Sequence, residues 1–162
     1  MNNYQKRRFS YRITQCLFST VTNKRIAILG FAYKANTGDT RETPAKFVCK
    51  HLLEEGARLS IYDPKVPKNQ IIQYAISFLI NFLIFFTFRD LSVFDLNLGS
   101  KSLFDLLEIV DSPQEASRNA HALVICTEWP EFLVRTICFI IKNIYFFCFI
   151  FCFFKSHKGI KL

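Results

Sequence analysis

Residues 25–62 allow few folds. Arg25-Ile26-Ala27-Ile28-Leu29-Gly30 is a short apolar run closed by glycine, which reads as a buried strand. The polar stretch Phe31 to Glu42 (FAYKANTGDTRE) follows as a loop with one glycine, Gly38. Thr43 then suits a helix N-cap, and Pro44 the first helical position, where its missing N–H costs nothing. Ala45, Val48, Cys49, Leu52 and Leu53 recur at the spacing of one helical face. Gly56 stands where a left-handed residue ends a helix. Ala57 to Tyr62 alternates into a second strand, closed by the turn Asp63-Pro64. Strand, loop, helix, strand is a βαβ unit, and such units are parallel and right-handed.

The flanks extend this unit. Tyr4, Phe9, Ile13, Cys16, Leu17 and Val21 recur at helical spacing, so a helix is expected over residues 4–21. Ser112-Pro113-Gln114-Glu115 combines an N-cap, a first-position proline and a capping-box glutamate, and predicts a short helix to about Asn119. His121 to Cys126 reads as a third buried strand running into Thr127-Glu128-Trp129. The fold class is doubly wound α/β.

Composition matters where it is uneven. Of 19 phenylalanines, 12 fall within Tyr74 to Arg89 and Leu133 to Leu162. Residues 75–88 are apolar without period and too short for an ordinary membrane span; residues 137–154 reach about the minimum span but carry Lys142. The formal charge of +8 is lopsided too, because five cations and no acid follow Glu131. The remaining +3 argues against nucleic acid as a partner and suits an anionic small molecule as well. The six cysteines form no C-x-x-C pair and have no histidines at zinc spacing, so buried free thiols in a reducing compartment are expected. Met1 to Arg8 is polar and basic with no apolar stretch behind it, which reads as a cytoplasmic chain without a secretory signal.

The loop after the first strand lies where open α/β sheets bind ligands, and a helix N-terminus there favours an anion. Its two cations are Lys34 and Arg41. Lys34 reads equally as a ligand contact and as a solvated lysine. For Arg41, a surface arginine or one paired with Asp39 or Glu42 is slightly ahead. Gly30-Phe31-Ala32 is not G-x-G, so a dinucleotide pyrophosphate site is not expected. Without that fingerprint, Asp63 reads as a turn aspartate rather than a ribose-binding acid. Trp129 is taken as packing, Cys126 as structural, and His51 and His121 as lacking partners.

The run NKRIAILGFAYKANTGDTRETPAKFVCKHLLEEGARLSIYDPKV (residues 23–66) closely resembles the animal UDP-glucose 6-dehydrogenases. MNNYQKRRFSYRITQCLFSTV (1–21) and DSPQEASRNAHALVICTEWPEF (111–132) continue the likeness. The resemblance implies a linking helix over residues 1–22, then a Rossmann-like three-layer UDP-binding domain with a parallel sheet over 23–132, incomplete at its C-terminus. It implies a family enzyme, a homo-hexamer, that oxidises UDP-glucose to UDP-glucuronate with two NAD through a catalytic cysteine. Tyr33 and Lys34 fall on the pair that contacts the UDP-sugar, with Tyr33 in place of the usual phenylalanine. Arg41 falls on an arginine that reaches NAD held mainly by another domain. Cys16, Leu17, Phe18, Ser19 and Thr20 fall on a segment that builds the hexamer.

The departures are as informative. No residue here takes the catalytic role, because the family's cysteine and its NAD-binding domain precede the segment matched. After Phe132 the family pattern stops, and with it the later strand and an arginine-bearing stretch that completes the substrate site. Removing Tyr74 to Arg89 restores a family-like junction from Gln73 to Asp90. That insert (about 74–89) and the tail (133–162) share A/T-rich codon residues, and the hypothesis is that both are translated intron in an unspliced or mis-spliced product. Mature transcripts carrying both stretches intact would refute it. The resulting expectation is a UDP-binding piece, inactive alone. The alternative is a membrane-associated or poorly folding, non-functional chain, with the tail as the membrane contact.

Overall fold

The structure, a computed structural model, describes residues 3–77, 106–132 and 148–151, the last four by backbone alone. Its elements are α1 (Asn3–Cys16), β1 (Arg25–Leu29), α2 (Pro44–Glu54), β2 (Arg58–Tyr62), α3 (68–77), β3 (Leu107–Ile109), α4 (Pro113–Ser117), β4 (Ala122–Ile125) and β5 (Cys148–Phe151). The sheet runs β3-β2-β1-β4-β5 and every pairing is parallel. Right-handed crossovers from β1 to β2 to β3 put α2 and α3 on one face, and the return from β3 to β4 puts α4 on the other. This is the doubly wound, three-layer arrangement the sequence implies.

The βαβ unit forms as its local signals dictate. Thr43 accepts the amide of Ala45, Pro44 opens α2, and Gly56 adopts φ +78 beyond its end. The amides of Gly56 and Ala57 close back on Leu53 and Leu52, satisfying carbonyls that the helix end leaves free. Ala45, Val48, Cys49 and Leu52 are buried under the sheet, while Leu53 is partly covered. Ile26, Ala27, Ile28 and Leu29 are wholly buried, as the central strand of a sheet covered on both faces must be.

Four elements depart from expectation. First, α1 stops at Cys16, short of residue 21. Phe18 and Ser19 take φ 60 and 59, and their amides bond Gln15 and Thr14, which turns the chain before another helical turn can form. Leu17 and Val21 are buried on either side of that turn, whereas Tyr4 and Cys16 are exposed. Cys16 is thus not one of the buried thiols. Second, β3 was not expected; its Glu108 pairs with Arg25 at 2.6 Å. Third, residues 68–77 form α3, whose Ile71 and Ala75 are buried. The first residues of the apolar insert, 74–77, belong to this helix; 78–89 lie outside the described residues. Fourth, residues 148–151 of the Phe-rich tail pair with β4, in register from Ala122↔Cys148 to Ile125↔Phe151. A fifth parallel strand therefore stands in the tail, beyond Phe132. Among the described residues, no helix is long and apolar enough to cross a membrane.

Candidate functional site

In a sheet of this order the crevice opens at the carboxyl ends of the strands, where β1 and β4 diverge. The loop from Phe31 to Glu42 leaves β1 at that point. Gly30 begins it with φ +89, and the hypothetical Cβ of any other residue would stand 2.5 Å from the Cβ of Thr127. Only glycine lets the β1 and β4 loops approach this closely.

Asp63 organises the corner. Its Oδ2 accepts the amides of Phe31 (2.6 Å) and Ala32 (2.9 Å) and the indole N–H of Trp129 (3.2 Å). Its Oδ1 accepts the amides of Lys65 (2.9 Å) and Val66 (2.8 Å). One carboxylate thus binds five N–H groups from three loops. The carbonyl of Ala32 accepts the hydroxyls of Thr127 (2.6 Å) and Thr43 (3.3 Å). The anion expected at this corner is therefore the chain's own. With two amides of the β1 turn already engaged, and no G-x-G turn, the corner does not fit a dinucleotide pyrophosphate.

The expected contact residues lie just beyond. The amide of Tyr33 donates to the carbonyl of Asp39 at 2.8 Å, closing the loop on itself. The Tyr33 side chain is half exposed and Lys34 is exposed. Arg41 is paired, as the plainer reading had it: its Nε and one Nη bond Asp39 at 2.9–3.2 Å. The guanidinium holds the Asp39 carboxyl down at about 2, and Asp39 in turn raises Arg41. Arg41 also borders an open cavity of about 560 Å³, shared with Lys46, Gln70, Gln73 and Tyr74. A second, of about 340 Å³, lies at the ends of β2 and β3 beside Lys65, Lys68 and Asp111. Tyr33 and Lys34 line neither.

Of the segment expected to make subunit contacts, Leu17 is buried, while Cys16, Phe18, Ser19 and Thr20 are exposed at the end of α1. Lys24 donates to the carbonyl of Leu17 and stands 5.8 Å from the Phe18 ring. Trp129 is packing, as expected, being 4% exposed. Burial pushes the Cys126 thiol up to about 12, so it is no nucleophile at neutral pH. His121 does have a partner: its Nδ1 accepts the amide of Arg25 at 3.1 Å, because the parallel pairing of β1 and β4 sets the two side by side.

Sequence reasoning missed the reach of Asp63. The signal was the parallel pairing itself, since Leu29 opposite Tyr62 brings the next residues, Gly30 and Asp63, together. It also missed Lys46 and Tyr74, because residues 68–77, which bring Tyr74 against α2, were not read as a helix.

Comparison with known proteins follows the same lines. Residues 27–139 match the model of the UDP binding domain of the UDP-glucose/GDP-mannose dehydrogenase family. The chain is 51% identical over 133 residues to a UDP-glucose 6-dehydrogenase of Drosophila melanogaster, which covers 82% of this chain and 25% of that protein. A Gallus gallus protein of the same name is 50% identical over 135 residues, covering 82% and 23%. The chain thus spans about a quarter of the length of the curated relatives it matches. Among solved structures, a UDP-D-ManNAc dehydrogenase from Pyrococcus horikoshii superposes with a TM-score of 0.57 at 21% identity, covering 91% of this chain and 26% of that one. A UDP-glucose dehydrogenase from Pyrobaculum islandicum gives 0.54 at 22% identity, covering 80% and 23%. At such identities the two structures speak for the fold.

Proposed function

The chain belongs to the UDP-glucose/GDP-mannose dehydrogenase family, and from that membership we propose that it binds a UDP-sugar, UDP-glucose or UDP-glucuronate, through the loop between β1 and α2. The observation that carries this reading is the match of residues 27–139 to the family's UDP binding domain, a stretch that contains the whole loop. Two features support it further. The loop starts at the divergence of β1 and β4, and its Tyr33 and Lys34 are accessible beside a rigidly held peptide. An aromatic face and an ammonium suit a uracil or sugar ring and a diphosphate respectively.

Oxidation of the sugar is named for relatives of which this chain covers about a quarter. In this reading the described domain binds and orients the nucleotide-sugar, and hydride transfer to NAD takes place on groups outside it. NAD would supply the hydride acceptor. The β1 corner does not fit its pyrophosphate, so the proposed contact is confined to Arg41, whose exposed guanidinium keeps N–H groups free of Asp39 on one side. Cys16 to Thr20 are proposed to contact a neighbouring subunit, with Phe18, 77% exposed, as the apolar anchor.

Calorimetric titration of the full chain with UDP-glucuronate tests the reading. Wild type should bind, and Lys34→Ala should bind on the order of tenfold more weakly, the loss of one charged hydrogen bond. Equal affinities would remove Lys34 from the site, and no binding by wild type would sink the assignment.

A further inference from the structure

We propose that Asp63 is a positioning residue of the nucleotide-sugar site: its carboxylate fills the place of a ligand phosphate at the β1 corner and thereby fixes where Tyr33 and Lys34 stand. The proposal rests on the functional reading above. Phosphate-binding corners of α/β folds offer backbone amides at the turn after the first strand. Here the amides of Phe31 and Ala32 point instead at Asp63 Oδ2, at 2.6 and 2.9 Å. Two threonine hydroxyls hold the Ala32 carbonyl. Ala32, the residue before Tyr33 and Lys34, is therefore held at both its N–H and its carbonyl, and the hold on its N–H is an anion supplied by the residue that follows β2.

Two consequences follow. A ligand phosphate cannot take the corner amides, so it must meet the loop further out, at Tyr33 and Lys34. Releasing the carboxylate frees the corner amides and lets residues 31–34 re-aim. Trp129 reports on this directly, because it is the only tryptophan of the sequence and its indole N–H is on the same oxygen.

The test uses the full chain with Asp63→Gly, which leaves a space for a small carboxylate. UDP-glucuronate affinity and Trp129 emission are measured in sodium formate and in sodium chloride at equal ionic strength. Asp63→Gly should bind on the order of tenfold more weakly in chloride. Formate should restore most of that affinity together with the wild-type emission, while leaving wild type and Lys34→Ala unchanged. A variant that binds like wild type in chloride overturns the proposal. So does formate that restores the emission, or the resistance to urea, without the affinity, since the role would then be structural only. If Asp63→Gly does not fold, Asp63→Asn keeps the shape but turns one oxygen into a donor facing N–H groups. It should bind on the order of tenfold more weakly while its circular dichroism matches wild type, and equal affinity overturns the proposal. Failure of wild type to bind UDP-glucuronate is a separate result: it ends the functional reading and the positioning role with it, whereas the emission of Asp63→Gly in formate still decides whether a carboxylate fills the corner.

Discussion

Gly30 and Thr127 stand so close that no side chain fits between them. A Cβ on Gly30 would lie 2.5 Å from Thr127 Cβ, 2.7 Å from its amide nitrogen and 2.8 Å from its hydroxyl. That hydroxyl is engaged with the Ala32 carbonyl, so it cannot swing aside without giving up the shorter of that carbonyl's two hydrogen bonds. The same residue has φ +89, a conformation that costs an L side chain energy. Gly30→Ala therefore combines a clash, a strained backbone and a broken hydrogen bond. We expect a loss on the order of 3 kcal/mol in urea unfolding, or no folded chain. A loss near the few tenths expected of a surface change would show that the two loops are not locked together.

Tyr74 ties α3 to α2. Its hydroxyl donates to the carbonyl of Lys46 at 2.6 Å, and its ring lies 5.7 Å from that of Phe31, tilted by 57°. The Lys46 ammonium stands 5.5 Å from the same ring. Tyr74→Phe should cost about 1 kcal/mol, the net value of one hydrogen bond. Tyr74→Ala should cost about 3 kcal/mol, because a partly buried aromatic is removed from against Phe31. Equal effects of the two would mean that the ring contributes nothing and that α3 is not docked.

What the sequence discloses here depends on how local the signal is. Thr43 with Pro44, Ser112 with Pro113, and Gly56 act through bonds within a few residues of themselves, and each caps its helix as read. Glu115 reaches back to the amide of Asp111 rather than to the cap itself, a detail local rules do not resolve. β3 was invisible because three residues with a central Glu108 form no pattern; they become a strand only through β2 and the Arg25 pair. β5 was invisible for the opposite reason, since an unbroken apolar run has no period to read. The role of Asp63 is non-local in part: Lys65 and Val66 lie in its own turn, but Phe31, Ala32 and Trp129 reach it only because the parallel sheet gathers their loops.

The Asp39–Arg41 pair gives the loop a measurable acid signature. Arg41 donates through side chain and backbone, and this holds the Asp39 carboxyl at about 2 against an ordinary 3.8. A folded-state value below the unfolded one adds stability that is present above the unfolded value. That stability is lost as pH falls through the folded value. The contribution is thus complete above about pH 4 and disappears towards pH 2. Because both groups face water, salt should shrink it. Carboxyl carbon NMR should show Asp39 titrating near 2 in wild type and close to its ordinary value in Arg41→Ala. An ordinary midpoint in wild type would mean that the pair does not persist in solution. Arg41 would then be free to meet a ligand without first leaving Asp39.

At high pH the sign reverses. Burial raises the thiols of Cys49 and Cys126, the latter to about 12, and raises the hydroxyls of Tyr62, to about 12, and Tyr74. These groups are neutral when protonated, so folding favours the protonated form. Their contribution is full below the unfolded thiol range of about 8.5 and is lost as pH rises towards the folded values. The urea midpoint should fall steadily above about pH 9. Cys126→Ala should lessen that fall, since it removes one buried acid without adding another. The same burial decides reactivity, because the thiolate is the attacking species. At neutral pH a thiol reagent should label exposed Cys16 and spare Cys49 and Cys126 until urea is added, as peptide mass mapping would show. Rapid native labelling of Cys126 would instead mean that β4 opens to solvent, and the packing of Asp63 against Trp129 beside it would have to open as well.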